Sequence, residues 1–297
     1  MFLSELVQSA AHNYIFHPPQ PRPPLQNFLS LTKTKMHVRL RTVGGDDVHC
    51  KLVTPFDKPC SLSEYIPSDN IFIFLHGNAD DLNTCHAYTQ WLADIMQSNV
   101  LAVDYPGYGF SSGDGNTTEE NMNWSAEALF DFTINKLQHS VDSIIIVGKS
   151  LGTVPAIYMS AQHYCADLAG LLLISPLASG ARCVLPTTTT LLDKKMSAIM
   201  PYFDNVFANS LRRVKSTECP VMIIHGINDH VVPVSNAHAL AAAIKARAYY
   251  PPLFVEADHN DIEAKFQSLV ITSCQDFVSF CKDRVHSRKK AQCLYDD

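Results

Sequence analysis

Three residues of the chain have the types and order needed for covalent acyl chemistry. Ser150, Asp229 and His259 each follow an apolar run by a few residues, the runs being Ile144–Val147, Val221–Ile224 and Leu253–Val255. A serine hydroxyl is a weak nucleophile at neutral pH; it needs a base to take its proton and a carboxylate to orient that base. Ser150 lies at the centre of Gly148-Lys149-Ser150-Leu151-Gly152, a G-x-S-x-G sequence after a β-branched run and before helix-compatible residues. That order predicts a sharp strand-to-helix turn with the hydroxyl at its tip, and architectures of this kind carry their partners in the chain order Ser, Asp, His. Asp204, Asp258 and Asp261 are the rival acids, and His76, His225 and His230 the rival bases. Strand-end position selects Asp229 and His259. His76 and His225 each precede a glycine at a strand end and are expected to hydrogen-bond loop backbone. A tetrahedral oxyanion would need two donors: the N–H of Leu151, after the nucleophile, and that of Asn78 in the loop His76-Gly77-Asn78-Ala79, with Ala79 as second choice.

These residues need a frame that brings strand ends together. Ile71–Leu75, Val100–Val103, Ile144–Val147, Leu171–Ile174, Val221–Ile224 and Leu253–Val255 are continuous apolar runs, as expected of strands buried on both faces. Helical stretches fall between and after them at about 81–97, 118–137, 151–163, 235–246 and 261–283. Strands alternating with helices predict an α/β fold with a predominantly parallel sheet clad in helices, whose reactive groups collect at the carboxyl ends of the strands. Ahead of this unit, Met36–Val43 and Val48–Thr54 flank Gly44-Gly45-Asp46-Asp47, a hairpin signal. Thr117 with Glu120 is read as a capping box for the second helix. Pro155 is acceptable only in the first turn of the helix after Ser150. Asp104–Gly109 reads as a structural Pro-Gly turn, and Lys149 as an exposed residue without a role.

The stretch 183–211 breaks the alternation and is read as a short lid insertion. Within it Leu192, Met196, Ile199, Met200 and Phe203 share one helical face. That face either packs on the core or, with its adaptable methionines, walls an acyl channel; Met196, Ile199, Met200 and Phe203 are the candidate acyl-binding residues. Residues 2–15 space apolar side chains helically before a proline-rich connector, so that segment is expected to dock on the domain or to meet a membrane surface peripherally. The expected organisation is an N-terminal amphipathic and proline-rich segment at 1–30, the α/β domain at 31–285 and a tail at 286–297.

A net charge of −6 and the lack of a basic stripe argue against nucleic acid as a partner. The nine cysteines include no C-x-x-C pair, so neither a disulfide framework nor a zinc knuckle is expected. The proposed chemistry requires no metal and no organic cofactor. No apolar run reaches the roughly 18 residues of a membrane span, and residues 1–15 lack a basic n-region, which together suggest a cytoplasmic protein.

Several of these motifs occur together in one known group. Phe74-Leu75-His76-Gly77-Asn78-Ala79, Asp104-Tyr105-Pro106-Gly107-Tyr108-Gly109-Phe110-Ser111-Ser112-Gly113, Gly148–Pro155, Ile174-Ser175-Pro176-Leu177-Ala178-Ser179-Gly180, His259-Asn260-Asp261 and Phe16-His17-Pro18-Pro19 resemble the α/β-hydrolase domain-containing protein 17 family. The resemblance runs from about residue 16 to 285. It implies an α/β-hydrolase fold, Ser150, Asp229 and His259 as a catalytic triad, and removal of palmitoyl groups from cysteine thioesters of membrane-associated proteins. Lipid or small-ester hydrolysis is the alternative, followed by a peptidase or a binding protein without turnover. Two features depart from the group. No cysteine precedes Cys50, whereas the group carries an acylated N-terminal cysteine cluster that anchors it. Asp258 stands where a glycine usually precedes the catalytic histidine.

Overall fold

The structure is a computed structural model that describes residues 16–20, 37–58, 63–113, 117–184 and 207–293. The residues expected to form the N-terminal amphipathic segment (2–15), most of the lid stretch, and Met196, Ile199, Met200 and Phe203 lie outside the described residues.

Eight strands form one sheet: β1 His37–Arg41, β2 Asp47–Val53, β3 Ile71–Leu75, β4 Asn99–Val103, β5 Ile144–Lys149, β6 Gly170–Ile174, β7 Val221–Gly226 and β8 Leu253–Val255. Their spatial order is β1-β2-β4-β3-β5-β6-β7-β8. The β1/β2 hairpin and the β2/β4 pair are antiparallel, and every pair from β4 through β8 is parallel. All six apolar runs are therefore strands, and the Gly-Asp signal is the turn of the leading hairpin.

The continuous apolar character of β3 to β7 follows from the two layers that cover the sheet. Alternate residues Ile71, Ile73 and Leu75 of β3, with Ile144 and Ile146 of β5, pack on one face against the helices Glu119–Asn135, Thr153–Ser160 and Ser235–Ala243. Phe72, Phe74, Ile145 and Val147 point the other way and pack against the helices His86–Met96 and Gln267–Cys293. Each such side chain removed from water contributes about 1.5–3 kcal/mol, which is why a sheet this deep tolerates no polar alternation. In β5 the burial ends at Lys149, one residue before the turn.

Two boundaries differ from the sequence reading. The capping box of the helix Glu119–Asn135 belongs to Thr118 and Asn121, not to Thr117 and Glu120. The Thr118 hydroxyl accepts from the Asn121 N–H at 3.1 Å, and the Asn121 side chain accepts from the Thr118 N–H at 2.8 Å. Thr117 is drawn away because its hydroxyl donates to the Pro106 carbonyl at 2.7 Å in the buried turn after β4. The last helical stretch is broken at Phe266 into Ile262–Lys265 and Gln267–Cys293 and continues beyond residue 283. Its distal part is tied to the domain by Arg288 to Asp167 at 2.8 Å and Lys289 to Asp142 at 2.7 Å.

Because the strands from β4 onward are parallel, their carboxyl ends share one edge of the sheet. His76 follows β3, Asp104 follows β4, Ser150 follows β5, and the loops after β7 and β8 carry Asp229 and His259.

Candidate active site

Ser150 occupies a left-handed backbone position, with φ of 52°. A non-glycine residue there is strained, and the strain holds the side chain proud of the sheet edge. The turn closes only because its neighbours lack side chains. A Cβ on Gly148 would come within 2.7 Å of both the Gly152 carbonyl and the Thr153 Cα; one on Gly152 would overlap the Leu75 carbonyl group and lie 2.7 Å from the His76 oxygen. One 3₁₀ turn, Ser150–Gly152, leads into the helix Thr153–Ser160, so Pro155 falls in the first α-helical turn, where its missing N–H costs nothing. The Thr153 hydroxyl donates to the Ser150 carbonyl at 2.7 Å and accepts from the Leu177 N–H at 3.1 Å, which fixes the elbow to the loop after β6.

His259 Nε2 lies 2.9 Å from Ser150 Oγ, and His259 Nδ1 lies 2.7 Å from Asp229 Oδ2. The imidazole is 8% exposed and the Asp229 side chain fully buried, so both bonds act in a water-poor setting. Asp229 is held from three sides. Its Oδ1 accepts from the Val231 N–H at 2.9 Å and the Val232 N–H at 2.7 Å, and His225 Nε2 lies 3.3 Å from its Oδ2. Burial alone would raise this carboxyl's pKa. The bonds from His225 and His259 outweigh burial and hold it well below the usual carboxylate range. The acid is thereby ionised at neutral pH, which fixes the proton of His259 on Nδ1 and leaves Nε2 free to accept from the serine.

The rival residues have other partners. His225 Nε2 is shared between the Val232 carbonyl at 2.8 Å and Asp229 at 3.3 Å, so it supports the acid and its loop, and His76 Nδ1 pairs with the Gly77 carbonyl at 2.8 Å; neither is bonded to Ser150. Asp261 accepts from the Asp258 N–H at 2.6 Å, and Asp204 lies outside the described residues. Asp258 is a clamp between two loops: one oxygen accepts from the His230 N–H at 3.1 Å and the His259 N–H at 2.7 Å, the other lies 3.2 Å from the His230 ring. The two backbone N–H groups hold Asp258 below the usual carboxylate value, although the side chain is about half exposed. It faces the loops that carry the acid and the base, a role that no sequence pattern indicates. Lys149 departs from the sequence reading. Rather than standing in solvent, its ammonium pairs with Glu263 at 3.2 Å and lies 4.5 Å from the centre of the Tyr88 ring, and the pair is only 16% exposed.

The loop after β3 packs directly on the elbow: a Cβ placed on Gly77 would lie 3.6 Å from Ser150 Cβ. Tyr105 donates its hydroxyl to the His76 carbonyl at 3.1 Å, and Tyr108 donates to Asn78 Oδ1 at 2.7 Å. Burial pushes the Tyr108 phenol well up, so it remains a neutral donor. Asp104 anchors the turn after β4 by accepting the N–H of Leu82 at 2.8 Å and of Phe110 at 3.2 Å. Ser150, Leu151 and Asn78 open together onto a cavity of about 330 Å³, lined among the described residues also by His17, Leu177, Gly180, Cys183, Phe207, Val231 and Val232. Cavities of about 270 Å³ beside Arg247 and Arg284 and of about 410 Å³ beside Glu127 and Tyr164 lack a nucleophile paired with a base. Among the described residues no group of His, Cys, Asp and Glu could hold a metal ion, and no helix is long and apolar enough to cross a membrane.

A serine on a strained turn, with its histidine and aspartate arriving from later strand ends of a mostly parallel sheet, defines the α/β-hydrolase fold. The family model for that fold matches residues 70–214. The structure is similar to that of an esterase from Pyrococcus furiosus, with a TM-score of 0.64 over 90% of this chain and 98% of that one; at 18% identity the likeness is one of fold. The chain is 34% identical over 230 residues to human α/β-hydrolase domain-containing protein 17B, covering 77% of this chain and 70% of that protein. It is also 32% identical over 206 residues to α/β-hydrolase domain-containing protein aho-3 of Caenorhabditis elegans, covering 69% of this chain and 57% of that protein. The chain belongs to the α/β-hydrolase domain-containing protein 17 family.

Proposed function

We propose that the chain is a serine hydrolase that cleaves acyl thioesters or esters through an acyl-serine intermediate, and that its substrates are S-palmitoylated proteins. The observation that carries this reading is the continuous hydrogen-bond chain from Ser150 through His259 to Asp229, at 2.9 and 2.7 Å. His259 Nε2 takes the Ser150 proton as Oγ attacks the acyl carbonyl, and Asp229 stabilises the imidazolium. The N–H groups of Leu151 and Asn78 are assigned to the oxyanion, which draws support from their position beside Ser150 on the same cavity. Collapse expels the cysteine sulfur, which takes the proton from His259. A water, deprotonated by the same imidazole, then attacks the acyl-serine; as the acyl–oxygen bond breaks, Ser150 Oγ takes that proton back from His259 and the fatty acid is released. Free cysteine thiols ionise near pH 8.5, so the sulfur leaves with less help than an alkoxide would need.

The acyl preference is supported by the cavity's apolar wall of Leu151, Leu177, Phe207, Val231 and Val232 and by the family relationship. Met196, Ile199, Met200 and Phe203 are assigned to its continuation from their helical spacing, and residues 2–15 to reversible contact with membranes. Hydrolysis of a palmitoyl-cysteine peptide, compared with a matched oxygen ester and a lysophospholipid, tests the substrate class. The expected order puts the palmitoyl thioester first. Faster turnover of the lysophospholipid would make the protein a lipid hydrolase, and preference for two-carbon to four-carbon esters would make it a short-chain esterase.

A further inference from the structure

The short N-terminal segment Phe16-His17-Pro18-Pro19 has a place in the site that its distance in sequence does not suggest. Phe16 is buried and packs edge-to-face on Phe207 with ring centres 5.7 Å apart. The next residue donates its N–H to Asn78 Oδ1 at 2.8 Å, across 61 positions of chain. That oxygen also accepts from the Tyr108 hydroxyl at 2.7 Å, so the two bonds use both of its lone pairs. Two prolines follow, and they hold the backbone extended where a flexible chain would swing. The segment is thus pinned at Phe16 by packing and at His17 by a polar bond. At the second pin His17, itself half-buried, lines the cavity that holds Ser150. Phe207, the partner of Phe16, lines the same cavity.

We propose that His17 is a specificity-determining residue: its side chain, held in place by the strap Phe16–Pro19, walls the path of the acyl chain leaving Ser150 and sets which chain lengths are accepted. This rests on the reading of Ser150 as the acylated nucleophile. A pinned backbone is what makes a single side chain able to discriminate, because a mobile one would move aside for any substrate. Leu177, Phe207 and Val232 give the same cavity an apolar lining, so an acyl chain lying against them gains contact with each methylene only as far as His17 permits.

The test is kcat/KM on acetyl, octanoyl and palmitoyl thioesters for the wild type, His17→Ala and His17→Trp in the full chain, each substrate below its micelle threshold and with melting temperatures recorded. Trimming the wall should raise the palmitoyl-to-acetyl ratio at least fivefold, and enlarging it should lower the ratio by a similar factor. Opposite shifts are the signature of a wall, since a residue needed only for structure would move both variants the same way. Parallel profiles, or shifts of one sign, overturn the inference while leaving the serine-hydrolase reading intact. If a variant does not fold, His17→Ser and His17→Tyr replace the pair and are read by the same criterion. No hydrolysis of any thioester by the folded wild type would overturn the reading of the site and this inference with it.

Discussion

Replacing Asp229 by asparagine exchanges one carboxylate oxygen for an amide nitrogen, and the surrounding donors dictate how the amide must sit. Oδ1 accepts from the N–H groups of Val231 and Val232 at 2.9 and 2.7 Å. An amide NH2 turned toward them would face two donors and leave both without an acceptor, at about 1–3 kcal/mol for each buried group. The asparagine oxygen therefore takes that side, and its NH2 points at His259 Nδ1, now 2.7 Å from a donor instead of an acceptor. The imidazole answers by moving its proton to Nε2, the atom 2.9 Å from Ser150 Oγ. In that tautomer it cannot take the serine proton. The site stays assembled but the base is blocked, a loss of roughly two to four orders of magnitude in kcat, or about 3–5 kcal/mol of transition-state stabilisation. Turnover of a soluble thioester, followed by free-thiol release and read beside the melting temperature, measures it. An Asp229→Asn enzyme that melts like the wild type and retains kcat within tenfold would refute this account of the acid.

Three further outcomes follow from particular contacts. Gly152→Ala should fail to accumulate as folded protein, because its Cβ would overlap the backbone carbonyl group of Leu75 in the adjoining strand; soluble expression with a wild-type melting curve would contradict this. Asp258→Gly should reduce kcat by roughly threefold to tenfold, since the loops bearing Asp229 and His259 lose their shared acceptor, while Asp258→Asn should recover part of the loss through its remaining oxygen; equal kcat for wild type and glycine variant would leave the clamp without function. His139, 4% exposed and bonded to Tyr65 and Ser143, is driven by burial from 6.5 down to about 4. A depressed folded-state pKa gives stability that is complete above pH 6.5 and is lost as pH falls toward 4, here up to about 3 kcal/mol. Urea melts at pH 7.5 and 4.5 should show this acid loss in the wild type and a smaller one in His139→Gln; equal losses would contradict it.

The six parallel-sheet strands were legible in the sequence because burial on both faces leaves no polar position in runs such as Ile71–Leu75, and the strand-end positions of Ser150, Asp229 and His259 followed from them. What escaped is long-range and depends on side-chain geometry. Thr117 and Thr118 are equivalent as capping letters; only the nearby Pro106 carbonyl separates them. Lys149 beside the nucleophile carries no mark of Glu263, which reaches it across 114 positions, nor of the Tyr88 ring beneath it. The bond between His17 and Asn78 joins segments with no shared periodicity, and Asp258 shows its use only once the loops after β7 and β8 are adjacent. Pattern reading works where one physical cause repeats along the chain and fails where a single contact decides.

The central claim is that the Ser150 hydroxyl is the activated nucleophile, and a fluorophosphonate probe tests it most directly because labelling requires such a serine. Wild type and Ser150→Ala, matched for folding by their melting curves, are exposed to the probe and the adduct is located by peptide mass spectrometry. The expected result is a single adduct on Ser150 in the wild type, none in the variant, and loss of thioester turnover in step with it. Labelling of another serine, or retained labelling and turnover in Ser150→Ala, would contradict the account.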